Sequence, residues 1–193
     1  MEHSRCIKDS GLYYLTRITK EDEELINSFS CRQNGGFLEN YIKKYALNDE
    51  IESLARTYLV KDKSNNELVA YFSLKAGFVS VNEDQKLFKN HFDTIPAVEL
   101  ANFAVNANYI NKHPLAKGIG EVIFKRFVLW VIDNASKWIG IDFVYLFALP
   151  NEGLIDRYKQ YGFSRLSLIQ ERFIHRRIRP RYDENCIFMY RQL

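Results

Sequence analysis

Two stretches of this sequence have residue types and spacing suited to holding an anion, and a third puts a carboxylate in apolar company. Gly118-Ile119-Gly120 opens a run in which Ile119, Ile123, Phe127, Val131, Ala135 and Trp138 recur near the helical period. Glycines at a helix start let a phosphate approach backbone N–H groups that have no intrahelical partner. The helix dipole adds roughly half a positive charge there. A tight turn that binds nothing uses the same residues. Residues 165–181 hold six arginines against one glutamate, a local +5 in a chain of net charge +3, with Phe173 and Tyr182 beside them. Such a run can hold RNA phosphates and stack bases, reach a cofactor phosphate, or form a solvated loop paired with the acidic N-terminal helix. Glu99 begins an apolar strand and shares a face with Ala101, Phe103 and Val105 by the period of two. It reads either as a base or as a strand-end charge reaching solvent.

These groups need elements to position them. VELANFAV, Val98–Val105, is apolar on both faces, as a central strand of a covered sheet must be. The glycine-started helix comes next, and then Ile141–Leu149, a continuous apolar run. The simplest arrangement sets it parallel to the first strand through a right-handed crossover. Pro150 and Asn151 close that strand, a short helix runs from Glu152 to Tyr161, and Gly162 caps it. Phe163–Gln170 and Cys186–Arg191 are expected as a final antiparallel pair.

Upstream, Leu12–Ile18 reads as a strand, with Thr19 as N-cap of a helix that starts on Glu21, Asp22, Glu23 and Glu24. Phe29–Gly36 is a turn-rich break, and Phe37–Asn48 predicts one helix with Leu38, Tyr41, Ile42 and Tyr45 along one side. Arg56–Lys61 and Glu67–Phe78 form a hairpin whose turn holds Asn65 and Asn66, residues that tolerate left-handed backbone. Val81–Thr94 reads as a polar excursion.

At 193 residues, 47% hydrophobic and 15% aromatic, the chain is long and apolar enough for one full core, so a single domain over 1–193 is expected. No apolar run reaches a membrane span, and the N-terminus lacks a signal-peptide layout. Cys6, Cys31 and Cys186 are odd in number and have no ligand-like spacing, and the four histidines form no metal-binding pair. The expectation is a reduced, cytoplasmic protein without a metal site.

In this order, three local signatures resemble the GNAT N-acetyltransferase superfamily. They are VELANFAV followed by Lys117-Gly118-Ile119-Gly120, the segment NEGLIDRYKQYGF from Asn151 to Phe163, and the closing strand IFMYRQL. The resemblance covers most of the chain from Arg56 onward. The N-terminal half, with FSC before FLENY and a later YLV strand, is similar to GNAT toxins of bacterial toxin–antitoxin pairs. There are two departures. Leu115 stands where the family usually has Arg or Gln, and the loop from Asn106 to Ala116 is several residues longer than usual.

The resemblance implies an α/β fold of the GNAT acyl-CoA acyltransferase type, a mostly antiparallel mixed sheet with two splayed parallel strands flanked by helices. It implies acetyl-CoA as cosubstrate and a primary amine as acceptor. Leu115, Ala116, Lys117, Gly118, Ile119 and Gly120 would hold the pyrophosphate through backbone amides. Phe103, Ala104 and Val105 would pair with the pantetheine arm, with the Val105 N–H near the thioester oxygen. Tyr158 falls at the family's general-acid position, and a phenol with a pKa near 10 is protonated at neutral pH. Glu99 falls where several members carry a base. Asn151 would bind the cofactor or cap its helix. The partners admitted are a small-molecule or peptide amine, tRNA through Arg172, Arg176, Arg177, Arg179 and Arg181, an antitoxin, and a second copy of the chain. A toxin-type enzyme acting on the α-amine of aminoacyl-tRNA and a non-catalytic acyl-CoA-binding module are the rival readings.

Overall fold

The computed structural model describes residues 5–32, 35–81, 93–178 and 184–193. Its strands form a mixed eight-stranded sheet in the order β1-β2-β3-β4-β5-β6-β8-β7. The chain divides into two compact units, one of residues 1–75 and 100–131, the other of 76–99 and 132–193.

In the first unit, β1 (Lys8–Ser10) and β2 (Tyr13–Arg17) form a tight hairpin around Gly11, whose φ of 75° is left-handed. Of these two strands the sequence pattern predicts only the second. Thr19 does cap the next turn, through a reciprocal capping box with Asp22, and α1 (Glu23–Asn27) comes after it. The helix expected over Phe37–Asn48 is two, α2 (Gly36–Lys44) and α3 (Ala46–Ile51). The break at Tyr45 lets Ala46 enter the core while Tyr45 stays half exposed. β3 (Arg56–Asp62) and β4 (Leu68–Val81) form the expected antiparallel hairpin, and Asn66 takes φ 60° in its turn. The core gathers Ile26, Phe29, Tyr41, Ile42, Leu59, Leu68, Tyr71 and Ala104.

β5 (Asp93–Val105) contributes its last residues to this unit. It is longer than VELANFAV and takes in the end of the expected excursion, whose residues 82–92 lie outside the described ones. The long Asn106–Ala116 loop contains a helix of its own, α4 (Ala107–Lys112), and then a 3-10 turn at Pro114–Ala116. The glycine-started helix runs as α5 (Ile119–Ile123), a π-helical turn (Phe124–Val128) and α6 (Leu129–Ala135). A π turn takes one extra residue and shifts the helical phase of the residues after it. Ile132 is thus fully buried, whereas Trp138, expected on the apolar face, lies beyond the helix and is largely exposed.

In the second unit, Ala97–Glu99 of β5 pairs in parallel with Phe143–Tyr145 of β6 (Phe143–Ala148). α7 (Glu152–Gln160) is next in the chain and ends before Gly162, at φ 87°. The final antiparallel pair exists, but β7 is only Ser164–Arg165, set against β8 (Ile187–Gln192). Leu168–Gln170, expected as strand, begins helix α8 (Leu168–His175) because Ser167 and Gln170 close a capping box. The core of this unit packs Val79, Ala97, Tyr145, Ile174 and Phe188 with Phe143, Phe147 and Phe173. No helix among the described residues is long and apolar enough to cross a membrane.

Candidate active site

In the first unit, the candidate anion-binding residues begin where β5 ends. Burial alternates along its last residues: Asn102, Ala104 and Asn106 are buried, and Phe103 and Val105 are half buried. Ala104 belongs to the core, and the ring of Phe103 meets that of Phe124 edge-on at 5.6 Å. Buried Asn106 locks the exit from the strand. Its Oδ1 accepts the N–H groups of Asn108 (3.1 Å) and Ser30 (3.2 Å), and its Nδ2 donates to the Leu68 carbonyl at 2.8 Å. The added helix α4 is tied to the β3–β4 hairpin. Tyr109 donates to Asp62 at 2.6 Å, and His113 Nε2 lies 2.8 Å from Glu67.

The glycine start is therefore presented by a fastened loop. Gly118 has φ 90°, a conformation that residues with a Cβ rarely adopt, and a Cβ built there meets nothing within 4 Å. The space in front of this backbone is open. A Cβ at Gly120 would lie 3.4 Å from Val105 Cγ2, so the small residue lets α5 seat against the strand end. The Ala116 and Lys117 amides donate to the carbonyls of His113 (2.9 Å) and Pro114 (3.2 Å). The Glu121 amide makes the first bond back to Gly118, at 3.2 Å. That leaves the amides of Gly118, Ile119 and Gly120 ahead of the first helical hydrogen bond, where backbone N–H groups can meet an anion. Leu115 is fully exposed, and its side chain adds no charge.

The titratable candidates Glu99 and Tyr158 belong to the second unit. Glu99 is half buried and sits in register with Tyr145 on the neighbouring strand. Burial and then the Glu99 charge push the Tyr145 phenol above its ordinary value. A Cβ at Gly77 would come 2.5 Å from the Tyr145 hydroxyl, so this strand glycine makes room for the phenol. Sequence reasoning passed over Tyr145, although a glycine inside a strand is the usual sign of such an approach. Asn151 caps α7, its Oδ1 accepting the Leu154 N–H at 3.1 Å. Tyr158, two turns on, is buried with Tyr161 at 6.1 Å and Phe163 at 5.7 Å between ring centroids. Burial, and after it the Tyr161 phenol, raises its pKa well above 10, so it keeps its proton throughout the neutral and mildly alkaline range.

Among its described residues, the arginine-rich stretch is helical over Leu168–His175. With Asn185 and the start of β8, α8 walls a concavity of about 620 Å³ to which Arg165, Arg172, His175 and Arg176 contribute. Glu171 is already engaged, by the Phe188 amide at 3.1 Å and Arg165 at 3.2 Å. The acidic partner of Arg165 is thus local, not the N-terminal helix. Arg172 and Arg176, one turn apart, have no carboxylate partner among the described residues. Arg177 instead lies over the Phe173 ring, 3.6 Å from its centroid. Arg179 and Arg181 lie outside the described residues.

The sheet order, the parallel β5–β6 pair and the glycine helix start define a GNAT-like fold. No family model matches the sequence. Among solved structures the chain is similar to a tyrosine-to-phenylalanine mutant of KacT, with 19% identity, a TM-score of 0.67, and coverage of 94% of this chain and 95% of that one. It is also similar to an AtaT mutant toxin bound to acetyl-CoA and the C-terminus of the antitoxin AtaR (18% identity, TM-score 0.63, 95% and 94% covered). AtaT complexed with acetyl-methionyl-tRNAfMet matches at 19% identity and TM-score 0.63, over 91% of this chain and 93% of that one.

Proposed function

We propose that this chain is an N-acetyltransferase that moves the acetyl group of acetyl-CoA to a primary amine, with residues 1–193 working as one cytoplasmic acetyltransferase domain. The observation that carries the reading is the helix start at Gly118, with left-handed backbone, open space before it and three amides that have no helical partner. Support for a single domain is the near-complete coverage in both directions by acetyl-CoA-binding neighbours.

The thioester of acetyl-CoA supplies the activated acyl group. Gly118, Ile119 and Gly120, with Leu115 and the turn formed by Ala116 and Lys117, hold the pyrophosphate. Phe103, Ala104 and Val105 offer strand-edge groups to the pantetheine arm, and the Val105 N–H stabilises charge developing on the carbonyl oxygen. Glu99, directly or through water, takes the proton of the attacking amine, whose ordinary pKa is near 8 for an α-amine and near 10.4 for a lysine-type amine. Tyr158 gives its proton to the departing thiolate, and the high pKa that burial imposes keeps that proton available. Asn151 caps α7 and keeps Nδ2 for the cosubstrate.

A second, narrower reading takes the α-amine of an aminoacyl-tRNA as the acceptor. Two observations favour it over a free small-molecule or peptide amine: Arg172 and Arg176, which have no acidic partner among the described residues, and the neighbour in complex with an acetylated aminoacyl-tRNA. On that reading an antitoxin is the expected protein partner, and a homodimer is compatible with it.

The test is a melting curve with and without acetyl-CoA, and then transfer of labelled acetyl to charged tRNA and to simple amines. Ligand at a hundred times its Kd stabilises by about 2.7 kcal/mol, a shift of roughly 5–10 °C at this size. No shift overturns the acetyltransferase reading. Label on simple amines but not on charged tRNA overturns the narrower one.

A further inference from the structure

In the second unit a buried phenol and a half-buried carboxylate share one face of the sheet. Glu99 on β5 is the register partner of Tyr145 on β6, and register partners on neighbouring strands point to the same side. Tyr145 is 3% exposed, its ring stacked on Phe188 at 5.4 Å and edge-on to Phe147 at 6.2 Å. The ring reaches past β5 to β4, where a Cβ on Gly77 would lie 2.5 Å from the hydroxyl. The core residues packed with it, Val79, Ala97, Ile174 and Phe188, are apolar. Among the described residues no hydrogen bond ties this hydroxyl down, and Glu99 is the charge that acts on it. A buried tyrosine hydroxyl ordinarily finds a partner. This one is not sealed from solvent, so a water can supply it. The other titratable groups nearby are otherwise placed. Glu171 is held by Arg165 and the Phe188 amide, and His175 meets the Phe147 ring edge-on at 5.8 Å. Tyr190 is the register partner of Tyr145 on β8, and Lys75 stands two residues before Gly77 in β4.

Resting on the reading of Glu99 as the base, we propose that Tyr145 is its positioning residue: the phenol O–H holds the water through which Glu99 takes the proton of the attacking amine. The amine gives its proton to the water, and the water gives one of its own to a Glu99 oxygen. Tyr145 donates a hydrogen bond throughout and keeps its proton. Burial and then the Glu99 charge raise the phenol above its ordinary value, so it stays a donor wherever the base is ionised. A donor aimed at a carboxylate, here through water, favours the charged form, so Tyr145 also keeps Glu99 ionised to lower pH. Gly77 belongs to the same arrangement, because any side chain there would displace the hydroxyl. Tyr145 is thereby distinct from Tyr158, the proposed acid for the departing thiolate.

The experiment follows kcat of the full chain against pH for acetyl transfer to methionyl-tRNA and to glycinamide, a free α-amine. The acid limb of that profile reports the base in the bound state. Tyr145→Phe keeps the ring packed and removes only the donor. It should move the acid limb up by about 0.5–1 unit and lower the plateau about tenfold, with KM for acetyl-CoA unchanged. Gly77→Ala, whose methyl must push the hydroxyl aside, should move the limb the same way. Glu99→Gln should abolish the limb, and adding Tyr145→Phe to it should change little, because the two residues act as one. A role in packing alone would lower the melting temperature and leave the limb in place. An unmoved limb in Tyr145→Phe, or losses that simply add in the double variant, overturns the positioning role and leaves Glu99 as the base. Full activity with the limb intact in Glu99→Gln overturns the base reading, and this inference falls with it.

Discussion

The two units handle charge in opposite ways. In the first, several buried or half-buried carboxylates sit against basic side chains, while Asp49 and Asp62 accept from tyrosine hydroxyls. Asp22 lies 2.8 Å from Lys61 and 2.9 Å from Arg5, Glu50 pairs with Arg17 and Arg56, and Glu67 takes Lys112 and His113. Its proposed anion cradle is made of backbone: Gly118, Ile119 and Gly120 contribute amides and no side-chain charge. In the second unit the proposed chemistry is in side chains: a half-buried Glu99 in register with Tyr145, a buried Tyr158, and Arg172 and Arg176, which have no acidic partner among the described residues. A backbone site can be fixed by local conformation, whereas a side-chain site depends on packing from distant segments.

The largest effect expected from this contrast is on turnover. Tyr158→Phe keeps the ring packed against Tyr161 and Phe163 and removes only the proton donor. Single-turnover kinetics should show kcat reduced by about 10²–10⁴ with acetyl-CoA affinity unchanged. Because burial raises this phenol, wild-type turnover should show no loss of the acid between pH 7 and 10. Unchanged turnover in the variant would remove Tyr158 from the chemistry and leave the second unit without its proposed acid.

Next is the first unit's internal pairing, which should matter for stability and not for ligand binding. Burial alone would raise the Asp22 carboxyl. The Lys61 ammonium, the Thr19 amide and Arg5 outweigh it and hold it below its ordinary 3.8. A depressed carboxyl contributes stability above its unfolded pKa and loses it as pH falls through the native value. Asp22→Asn leaves Lys61 buried without a counter-charge and should cost about 3–5 kcal/mol at pH 7 by denaturant melts. The difference from wild type should shrink as pH drops below about 4. A variant that folds normally but binds acetyl-CoA far less well would mean that the paired charges belong to the site.

The legibility of the two regions follows the same line. Asn66 and Gly162 were readable because a turn and a helix end call for left-handed backbone, a demand that Asn and Gly announce, and Gly118 was readable as a glycine at a helix start. Thr19 was readable from the acidic turn after it. The start of α8 was equally open to reading, since Ser167 and Gln170 have capping-box spacing, but the apolar run after Phe163 suggested a strand. Trp138 was misplaced because the helix ends at Ala135, and no residue of the apolar repeat marks that end. The break at Tyr45 depends on where Ala46 packs, and the Tyr145–Gly77 contact depends on which strands become neighbours. Neither is a local property of the sequence.

Gly118→Ala asks whether the first unit works through conformation. At φ 90° an alanine costs on the order of 1–2 kcal/mol, and the turn relieves it by moving the amides. Acetyl-CoA affinity should fall about tenfold to a hundredfold by calorimetry, the scale of lost charge-assisted bonds. Gly120→Ala meets only Val105 Cγ2, at 3.4 Å, and should lose much less. If the two variants bind alike, left-handed backbone is not what makes the cradle.

The smallest effect, and the one that bears most on the acceptor, is at α8. Arg172 and Arg176 lie one helical turn apart on the same concavity, without acidic partners among the described residues. Arg177 is occupied, lying over Phe173 and donating to its carbonyl at 3.3 Å. If the surplus charge meets RNA phosphates, each lost contact should flatten the log–log dependence of affinity on salt by close to 0.9 unit for a duplex stem. Arg172→Ala with Arg176→Ala should then flatten the slope for uncharged tRNA by nearly two units and weaken binding on the order of tenfold. Arg177→Ala should change it less, and acetyl-CoA affinity should not move in either variant. An unchanged slope in the double variant would make the second unit's excess arginines a solvated face and leave a free amine as the acceptor. A slope that flattens as much for Arg177→Ala as for either single variant at the concavity would mean that the RNA reads the charge of the helix and not the pocket it walls.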